Sequence, residues 1–169
     1  MSVPQLRIAV GIVVERRRAR SPWAENLWRP VAVLAGLPDT AVWTPLSDAG
    51  EVATFYAGSA EIALYRSEAE NYRQNLASGA PAVWVALHPR DGDPPYRVFA
   101  VTADPAEGEG WTEPGDAIVE AVPMPEPVQA EVAAFAAQFP ADARFVKRRR
   151  DRADPEALAR RAPQIGRPR

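Results

Sequence analysis

The stretch Leu6-Arg-Ile-Ala-Val-Gly-Ile-Val-Val14 decides the fold class of this chain. Its branched aliphatic side chains recur at every second position, at Leu6, Ile8, Val10, Ile12 and Val14. Successive side chains of a strand point to opposite faces, so this alternation predicts a half-buried β-strand. The fold therefore begins with a strand.

Six further segments have the composition of strands and lie at short intervals. They are Arg29 to Leu34, Glu51 to Ala57, Glu61 to Arg66, Ala82 to Leu87, Tyr96 to Thr102 and Ala117 to Val122. Gly58-Ser59 separates two of them, and a two-residue loop with glycine first predicts a type II′ hairpin. Trp43-Thr-Pro-Leu46 is assigned to a loop. Because turns join most of these strands, we expect an antiparallel sheet.

Two helices are expected beside the strands. Ser67-Glu-Ala-Glu70 has the pattern of a capping box and predicts the start of a short helix that ends before Gly79. A C-terminal helix carries Val128, Val132, Phe135 and Phe139 along one stripe and stops at Pro140. We therefore predict an α+β fold that is mainly antiparallel β. It has about seven strands in a sandwich or partly open barrel, one short inserted helix and one C-terminal helix.

Charge is spread unevenly along the chain, although the net charge is only −2. Residues 1–30 hold six arginines and two acids, residues 31–143 hold four arginines and seventeen acids, and residues 144–169 hold ten bases and three acids. We predict a single globular domain over residues 1–143. The basic, Pro/Arg-rich tail over residues 144–169 is predicted to be largely disordered, because its apolar content is too low to pack.

The composition excludes several kinds of active site. The chain has no cysteine, which rules out disulfides, thiolate nucleophiles and iron–sulfur ligation. Its single histidine, His88, precedes Pro89 at a predicted strand end, and no Gly-x-Ser-x-Gly sequence or glycine-rich phosphate motif occurs. Asp91-Gly-Asp93 begins like a calcium loop, but prolines follow at once. We therefore assign no catalytic residue, no metal site and no cofactor.

The hydropathy of the chain predicts a soluble protein. No window approaches the roughly 20 consecutive apolar residues that a membrane helix needs. The N-terminus lacks the basic-then-apolar order of a secretion signal. We expect a cytoplasmic protein without membrane contact.

The best candidate binding surface lies where planar cations stand beside large aromatic side chains. Its residues are Arg16, Arg17, Arg18, Arg20, Trp23, Trp28 and Arg29. Tyr72 and Arg73 of the inserted helix, and Lys147, Arg148, Arg149 and Arg150 at the start of the tail, complete the candidates. We expect residues 15–29 to form a long connection between two strands, with one tryptophan packed on the body.

A protein partner is favoured over nucleic acid for this surface. Basic and aromatic side chains on a small β domain are typical of single-strand binders, yet the acidic body would repel a polyanion. Binding of nucleic acid or of an anionic cofactor by residues 16–29 stays as the alternative. A second alternative is a carboxylate-based enzyme that uses Glu68, Tyr72 or Arg73.

Several segments form a recognisable set when they are taken together. They are Ile8 to Val14 with Glu15-Arg-Arg17, Trp28 to Leu34, Leu64 to Tyr72 with Asn75-Leu76, Val83-Trp-Val85, Val122 to Pro125, and Phe145 to Arg149. The set resembles an uncharacterised proteobacterial family catalogued as domain of unknown function 3305, over most of residues 6–150.

This resemblance implies a function without implying a mechanism. The family has no assigned catalytic residues, so none is transferred to this chain. Its members are commonly encoded beside formate dehydrogenase and other molybdenum-enzyme genes. The resemblance therefore implies a non-catalytic accessory or adaptor protein, with a molybdoenzyme subunit or a maturation factor as its partner.

Overall fold

Strands in two antiparallel sheets form the body of the protein. The computed structural model describes residues 3–112 and 115–141. One sheet contains β1 (Leu6–Ser21), β2 (Ala24–Ala35), β3 (Thr44–Asp48) and β4 (Val52–Leu64), in the order β2-β1-β4-β3. The other contains β5 (Ala82–Pro89), β6 (Tyr96–Thr102) and β7 (Ile118–Pro123), in the order β6-β5-β7. Within these ranges neither sheet closes into a barrel, and the predicted mainly antiparallel α+β class is confirmed.

Three helices accompany the sheets in the described part of the chain. A 3₁₀ turn over Arg66–Glu68 leads into α1 (Ala69–Leu76), and α2 (Pro105–Gly110) and α3 (Glu126–Ala137) follow later. The predicted inserted and C-terminal helices are thereby confirmed. No helix among these residues is long and apolar enough to cross a membrane.

The core forms around β1, which pairs with β2 on one side and β4 on the other. The alternating positions Ile8, Val10, Ile12 and Val14 are all buried. The same buried cluster includes side chains of β5 and α3, among them Val83, Val85, Leu87, Val128, Val132 and Phe135. Each such side chain contributes roughly 1.5–3 kcal/mol on burial. The alternating apolar side chains of residues 6–14 therefore share one core with both sheets and α3.

The hairpin predicted at Gly58-Ser59 is wrong. β4 runs through this pair without a turn and pairs with β1 from Val52 to Leu64. Gly58 has a φ of 122° and lies at a β-bulge, where the pairing shifts between Ile12 and Val13. Glycine at positive φ suits a bulge as well as a turn. A bulge forms here instead of a turn because β1 is sixteen residues long, so that β4 can pair with it along its whole length.

The loop assigned to Trp43-Thr-Pro-Leu46 is also wrong. Thr44–Asp48 forms β3, which pairs with β4 at the edge of the first sheet. Proline is tolerated in an edge strand because its missing N–H can face away from the ladder. Pro45 therefore does not prevent the strand. The predicted strand number is matched because one predicted pair merges and one loop becomes a strand.

The capping box predicted at Ser67 is not formed. Ser67 lies within the 3₁₀ turn, and Glu68 precedes α1 without a side-chain capping bond. Two amides ahead of the helix donate to distant side chains, Tyr65 N–H to Tyr72 Oη at 3.0 Å and Arg66 N–H to Gln5 Oε1 at 2.8 Å. Tertiary contacts therefore hold the start of this helix.

Candidate functional site

Residues 15–29 form a two-stranded arm, so the predicted long connection is wrong. β1 continues through the arginines to Ser21, and β2 returns from Ala24. Only Pro22 and Trp23 lie between the strands. Proline suits the first central position of a tight turn, and the Trp23 amide donates to Ser21 Oγ at 3.2 Å. Past Arg18, β1 pairs with β2 alone among the described residues, so the tip extends beyond the sheet.

The two tryptophans of the arm occupy opposite environments. Trp23 stands at the tip and is 93% exposed. Trp28 packs on the body, and its ring centroid lies 6.0 Å from Trp43, 5.9 Å from Phe55 and 6.5 Å from Tyr96. Trp28 is thus the tryptophan with a packing role, and Trp23 has none within the described fold.

Trp43 holds an unusual backbone conformation at this aromatic cluster. Its φ is 66°, in the left-handed region that costs a bulky residue roughly 1–2 kcal/mol. The Trp43 ring meets Trp28 edge-on and lies 6.3 Å from Phe55. Aromatic pairs of this kind contribute about 0.5–1.5 kcal/mol each beyond their buried area, which offsets the backbone strain.

The arm has two chemically different faces. Arg16 and Arg18 alternate onto one face, where they pair across the strands with Trp28 and Asn26. We call this face, defined by Arg16, Arg18 and Trp28, the arginine face. The Arg16 guanidinium carbon lies 5.9 Å from the Trp28 ring centroid and 5.2 Å from that of Phe55, within cation–π range.

The opposite face, defined by Glu15, Arg17 and Arg29, is called the paired face. Glu15 Oε1 accepts from Arg17 Nε at 3.4 Å and from Arg29 Nε at 3.2 Å. By contrast, Arg16, Arg18 and Arg20 have no ion pair within the ranges that the structure describes. The positive charge of the arginine face is therefore left uncompensated by these residues.

The whole arm lies inside a segment that matches a known family model. Residues 9–149 match the model described as "Protein of unknown function (DUF3305)". The chain belongs to this family. No curated protein and no solved structure matches it. Membership confirms the resemblance that the sequence segments indicated, and it assigns no site to the DUF3305 fold.

Two of the predicted binding residues of this DUF3305 chain serve the packing of α1. Tyr72 is 1% exposed, and its hydroxyl accepts from the Tyr65 amide. Arg73 donates to the backbone carbonyls of Ala136 at 2.7 Å and Phe139 at 2.8 Å, at the end of α3. Both side chains attach α1 to the body of the fold.

An open groove lies beside Arg73, between the start of α1 and the end of α3. Its volume is about 760 Å³, and its lining includes Gln5, Arg66, Glu70 and Phe139. Arg73 also donates to Glu70 at 3.0 Å, so the charges of this groove partly compensate each other.

The tail candidates Lys147, Arg148, Arg149 and Arg150 lie outside the described residues, and their role in binding remains a prediction.

Sequence reasoning missed a polar network that joins α1 to the second sheet. Asn71 Nδ2 donates to Glu68 and to the buried Asp104, at 3.1 Å in each case. Asn75 Nδ2 donates to the carbonyls of Ala82 and Ala103. The spacing of the two asparagines, four residues apart on the side of the helix that carries Tyr72, was the available signal. This network gives Glu68 and Asp104 structural partners.

The titratable side chains that the structure describes do not converge on a metal site. Among the described residues, no group of three or more His, Cys, Asp or Glu side chains is arranged to hold an ion. His88 lies near the end of β5, as predicted, and stacks on Phe99 with ring centroids 3.6 Å apart.

Tyr72 makes the stability of the fold sensitive to alkali. Burial, reinforced by the nearby carboxylates of Asp104 and Glu68, raises the pKa of Tyr72 from 10.0 to about 12. The folded state thus disfavours the phenolate, so stability present below pH 10 is lost as the pH rises from about 10 to about 12. The loss is about 1.4 kcal/mol per pH unit, close to 3 kcal/mol in all.

Urea unfolding between pH 8 and pH 12 measures this loss, with the difference between wild type and Tyr72→Phe as the readout. Tyr72→Phe should cost about 1 kcal/mol at neutral pH, because the Tyr65 amide loses its acceptor, and should flatten the alkaline slope. Tyr65→Phe is the matched control and should keep the slope. An equal slope in wild type and Tyr72→Phe would contradict the assignment.

Proposed function

We propose that this protein is a non-catalytic adaptor that docks on a partner protein through the tip and the arginine face of its β1–β2 arm. Trp23 is the main support for this proposal, because its indole is almost fully exposed on a tight turn and has no packing role in the described fold. Tryptophan and arginine are the residue types most enriched at the energetic centres of protein interfaces.

We further propose that the partner belongs to a molybdenum-dependent formate dehydrogenase system, as an enzyme subunit or a maturation factor. The support is the genomic neighbourhood implied by the family resemblance, which is an association and not a contact. On this proposal the protein acts in the cytoplasm, beside the enzyme that it assists.

The geometry gives the nucleic acid alternative less support. Single-strand binders stack bases on free aromatic faces. Here Trp28, Trp43 and Phe55 pack against one another, and Arg16 covers Trp28 and Phe55. Trp23 is the one arm ring left open, which is too little for a stacking platform.

The enzyme alternative is also weaker after the contacts of α1 are known. Glu68 accepts from Asn71, Arg73 is bound to α3, and Tyr72 is buried with a raised pKa. A phenol in that state is a poor general base near neutral pH. These groups are explained by packing.

The test is direct binding to purified partners. The full chain, Trp23→Ala and Leu46→Ala are titrated against formate dehydrogenase holoenzyme and its maturation factors by biolayer interferometry. Leu46 is the matched control, because it is 50% exposed and lies on the edge strand β3, away from the arm. We expect one partner to bind, Trp23→Ala to weaken binding roughly tenfold or more, and Leu46→Ala to change it less than about twofold.

A deletion strain provides the second readout. Formate dehydrogenase activity should fall without the protein and be restored by wild type and by Leu46→Ala, but poorly by Trp23→Ala. Unchanged activity in the deletion strain, together with no binding to any of these purified proteins, would reject the formate dehydrogenase proposal.

A further inference from the structure

Building on the proposed docking function, we infer that the arginine face receives an extended acidic segment of the partner, with carboxylates at alternate positions. The uncompensated charge is the first argument. Arg16 and Arg18 have no ion pair within the described ranges, whereas Glu15 occupies Arg17 and Arg29 on the paired face. Planar guanidinium groups bind carboxylates through paired hydrogen bonds.

Spacing is the second argument. Arg16 and Arg18 are two residues apart on a regular strand, so their Cα atoms are separated by about 6.8 Å along its axis. Every second side chain of an extended segment has the same period. Acids at alternate positions of such a segment therefore meet the two arginines in register, while acids at consecutive positions point to opposite sides.

The unpaired edge of β1 is the third argument. Arg18 N–H donates to the Glu51 carbonyl at 2.8 Å, and beyond this bond no described strand lies on the β4 side of β1. The backbone of the tip is therefore open to an added strand, a recurrent mode of peptide recognition in which the main chain binds and alternate side chains select. Arg16 and Arg18 themselves stay paired with β4 on this side, so an acidic segment meets them by lying across the arginine face, and only its end extends along the open tip.

Acidic neighbours favour a peptide over a nucleic acid on this face. Glu25 lies opposite the tip residues 19 and 20, and Glu51 ends the turn before β4. Both are exposed. A nucleic acid carries a negative charge on every nucleotide and is repelled by these carboxylates. A peptide can have acidic residues opposite the arginines and neutral residues opposite Glu25 and Glu51.

The experiment is an NMR titration of the full ¹⁵N-labelled chain at low salt. The probes are a peptide that alternates Glu and Thr, a block peptide of the same composition that repeats Glu-Glu-Thr-Thr, so that no two acids are two residues apart, and an oligothymidylate of similar length. We expect the alternating peptide to bind roughly tenfold more tightly than the block peptide, since it aligns one more charge-assisted contact. Its shifts should centre on Arg16, Arg18 and the Trp28 indole N–H.

Paired variants separate the two faces. Arg16→Gln with Arg18→Gln should reduce binding of the alternating peptide about tenfold, while Arg17→Gln with Arg29→Gln should change it less than about threefold. Arg18→Gln alone, at an exposed side chain, provides the test if the double variant proves misfolded.

Three outcomes would overturn the inference: equal affinity for the alternating and block peptides, equal effects of the two variant pairs, or tighter binding of the oligothymidylate. A failure here leaves the adaptor proposal standing if Trp23→Ala still weakens partner binding as expected. Conversely, peptide binding at the arginine face without any effect of Trp23→Ala on the partner would retain the site and reject the docking role of the tip.

Discussion

Replacing Asn75 by aspartate is expected to cost about 3–5 kcal/mol of folding free energy, a large share of the roughly 5–15 kcal/mol that holds a domain together. Asn75 is 4% exposed. Its Nδ2 donates to the Ala82 carbonyl at 2.8 Å and the Ala103 carbonyl at 2.9 Å, while its Oδ1 accepts from the Ala82 amide at 3.0 Å. The side chain therefore ties α1 to the start of β5 and to the residue after β6.

Aspartate has the shape of asparagine but reverses two of these three contacts. It keeps the acceptor for the Ala82 amide, and it places a second carboxylate oxygen against two carbonyl oxygens. A buried charge without a counter-ion adds a desolvation penalty to the two lost hydrogen bonds. The variant should therefore be strongly destabilised at neutral pH.

Acidification identifies the cause of this loss. Burial raises the pKa of a carboxyl group, so the variant should recover stability relative to wild type as the pH falls from about 7 to about 5. Gln74→Glu is the matched control, because it makes the same change of amide to acid on an exposed position of α1. Urea midpoints of the three proteins at both pH values provide the measurement. Equal losses of stability for Asn75→Asp and Gln74→Glu would show that the hydrogen bonds of Asn75 do not stabilise the fold.

The sheet was predictable wherever one local signal had one structural meaning. The alternation of residues 6–14 has a single explanation, a strand with one buried face, and it gave β1 and its core positions. Gly58-Ser59 has two explanations, because positive φ at glycine serves a hairpin turn or a bulge equally well. The choice depended on the length of β1, which continues through charged residues where no apolar alternation is left to reveal it.

The candidate site was predictable in composition but not in geometry. Arginine beside tryptophan marked residues 16–29 as a binding candidate, and that assignment stays a prediction. Trp23 lies between Pro22 and Ala24, and Trp28 lies between Leu27 and Arg29, and neither local composition decides which ring packs inward. The two-residue turn after Ser21 and the β-bulge between Arg18 and Ser21 together set the register that places Trp28 opposite Arg16, and this register depends on the pairing of the strands.

The α1 network escaped prediction for a different reason. Asn71 and Asn75 are polar residues in a helix, and composition alone suggests a solvated face for them. Their partners Asp104, Ala82 and Ala103 lie far along the chain or in another element. Only the packed arrangement shows that no buried side-chain polar atom of the described residues lacks a hydrogen-bond partner. This is the physical ground for assigning these groups to stability.

Gly108→Ala sets two physical effects against each other, and their magnitudes predict a net loss of about 2 kcal/mol or more. Gly108 lies in α2, where alanine is normally favoured over glycine by about 1 kcal/mol. However, a Cβ at Gly108 would overlap Cγ and Cβ of Trp84 on β5. Cβ is bonded directly to the Trp84 backbone and cannot rotate away, so the helix or the strand must shift.

Gly110→Ala is the matched control for this prediction. It lies in the same helix, and a Cβ there meets nothing within 4 Å. We expect Gly110→Ala to be neutral or stabilising by up to about 1 kcal/mol, and Gly108→Ala to shift the urea midpoint in the opposite direction. If helix propensity governed α2, both variants would be stabilised alike, and the close packing of α2 on β5 would be refuted.

A double-mutant cycle with Trp84→Ala locates the overlap. Trp84→Ala is itself destabilising, but it removes Cγ and the ring and leaves only Cβ near Gly108. Against that background Gly108→Ala should cost at least about 1 kcal/mol less than in wild type, the coupling expected of two residues in direct contact. Additive losses would mean that alanine at this position acts on the α2 backbone itself. Coupled losses would mean that α2 can pack directly on the indole of Trp84 because Gly108 has no side chain. The cap at Asp104 fixes the first turn of the helix that makes this contact.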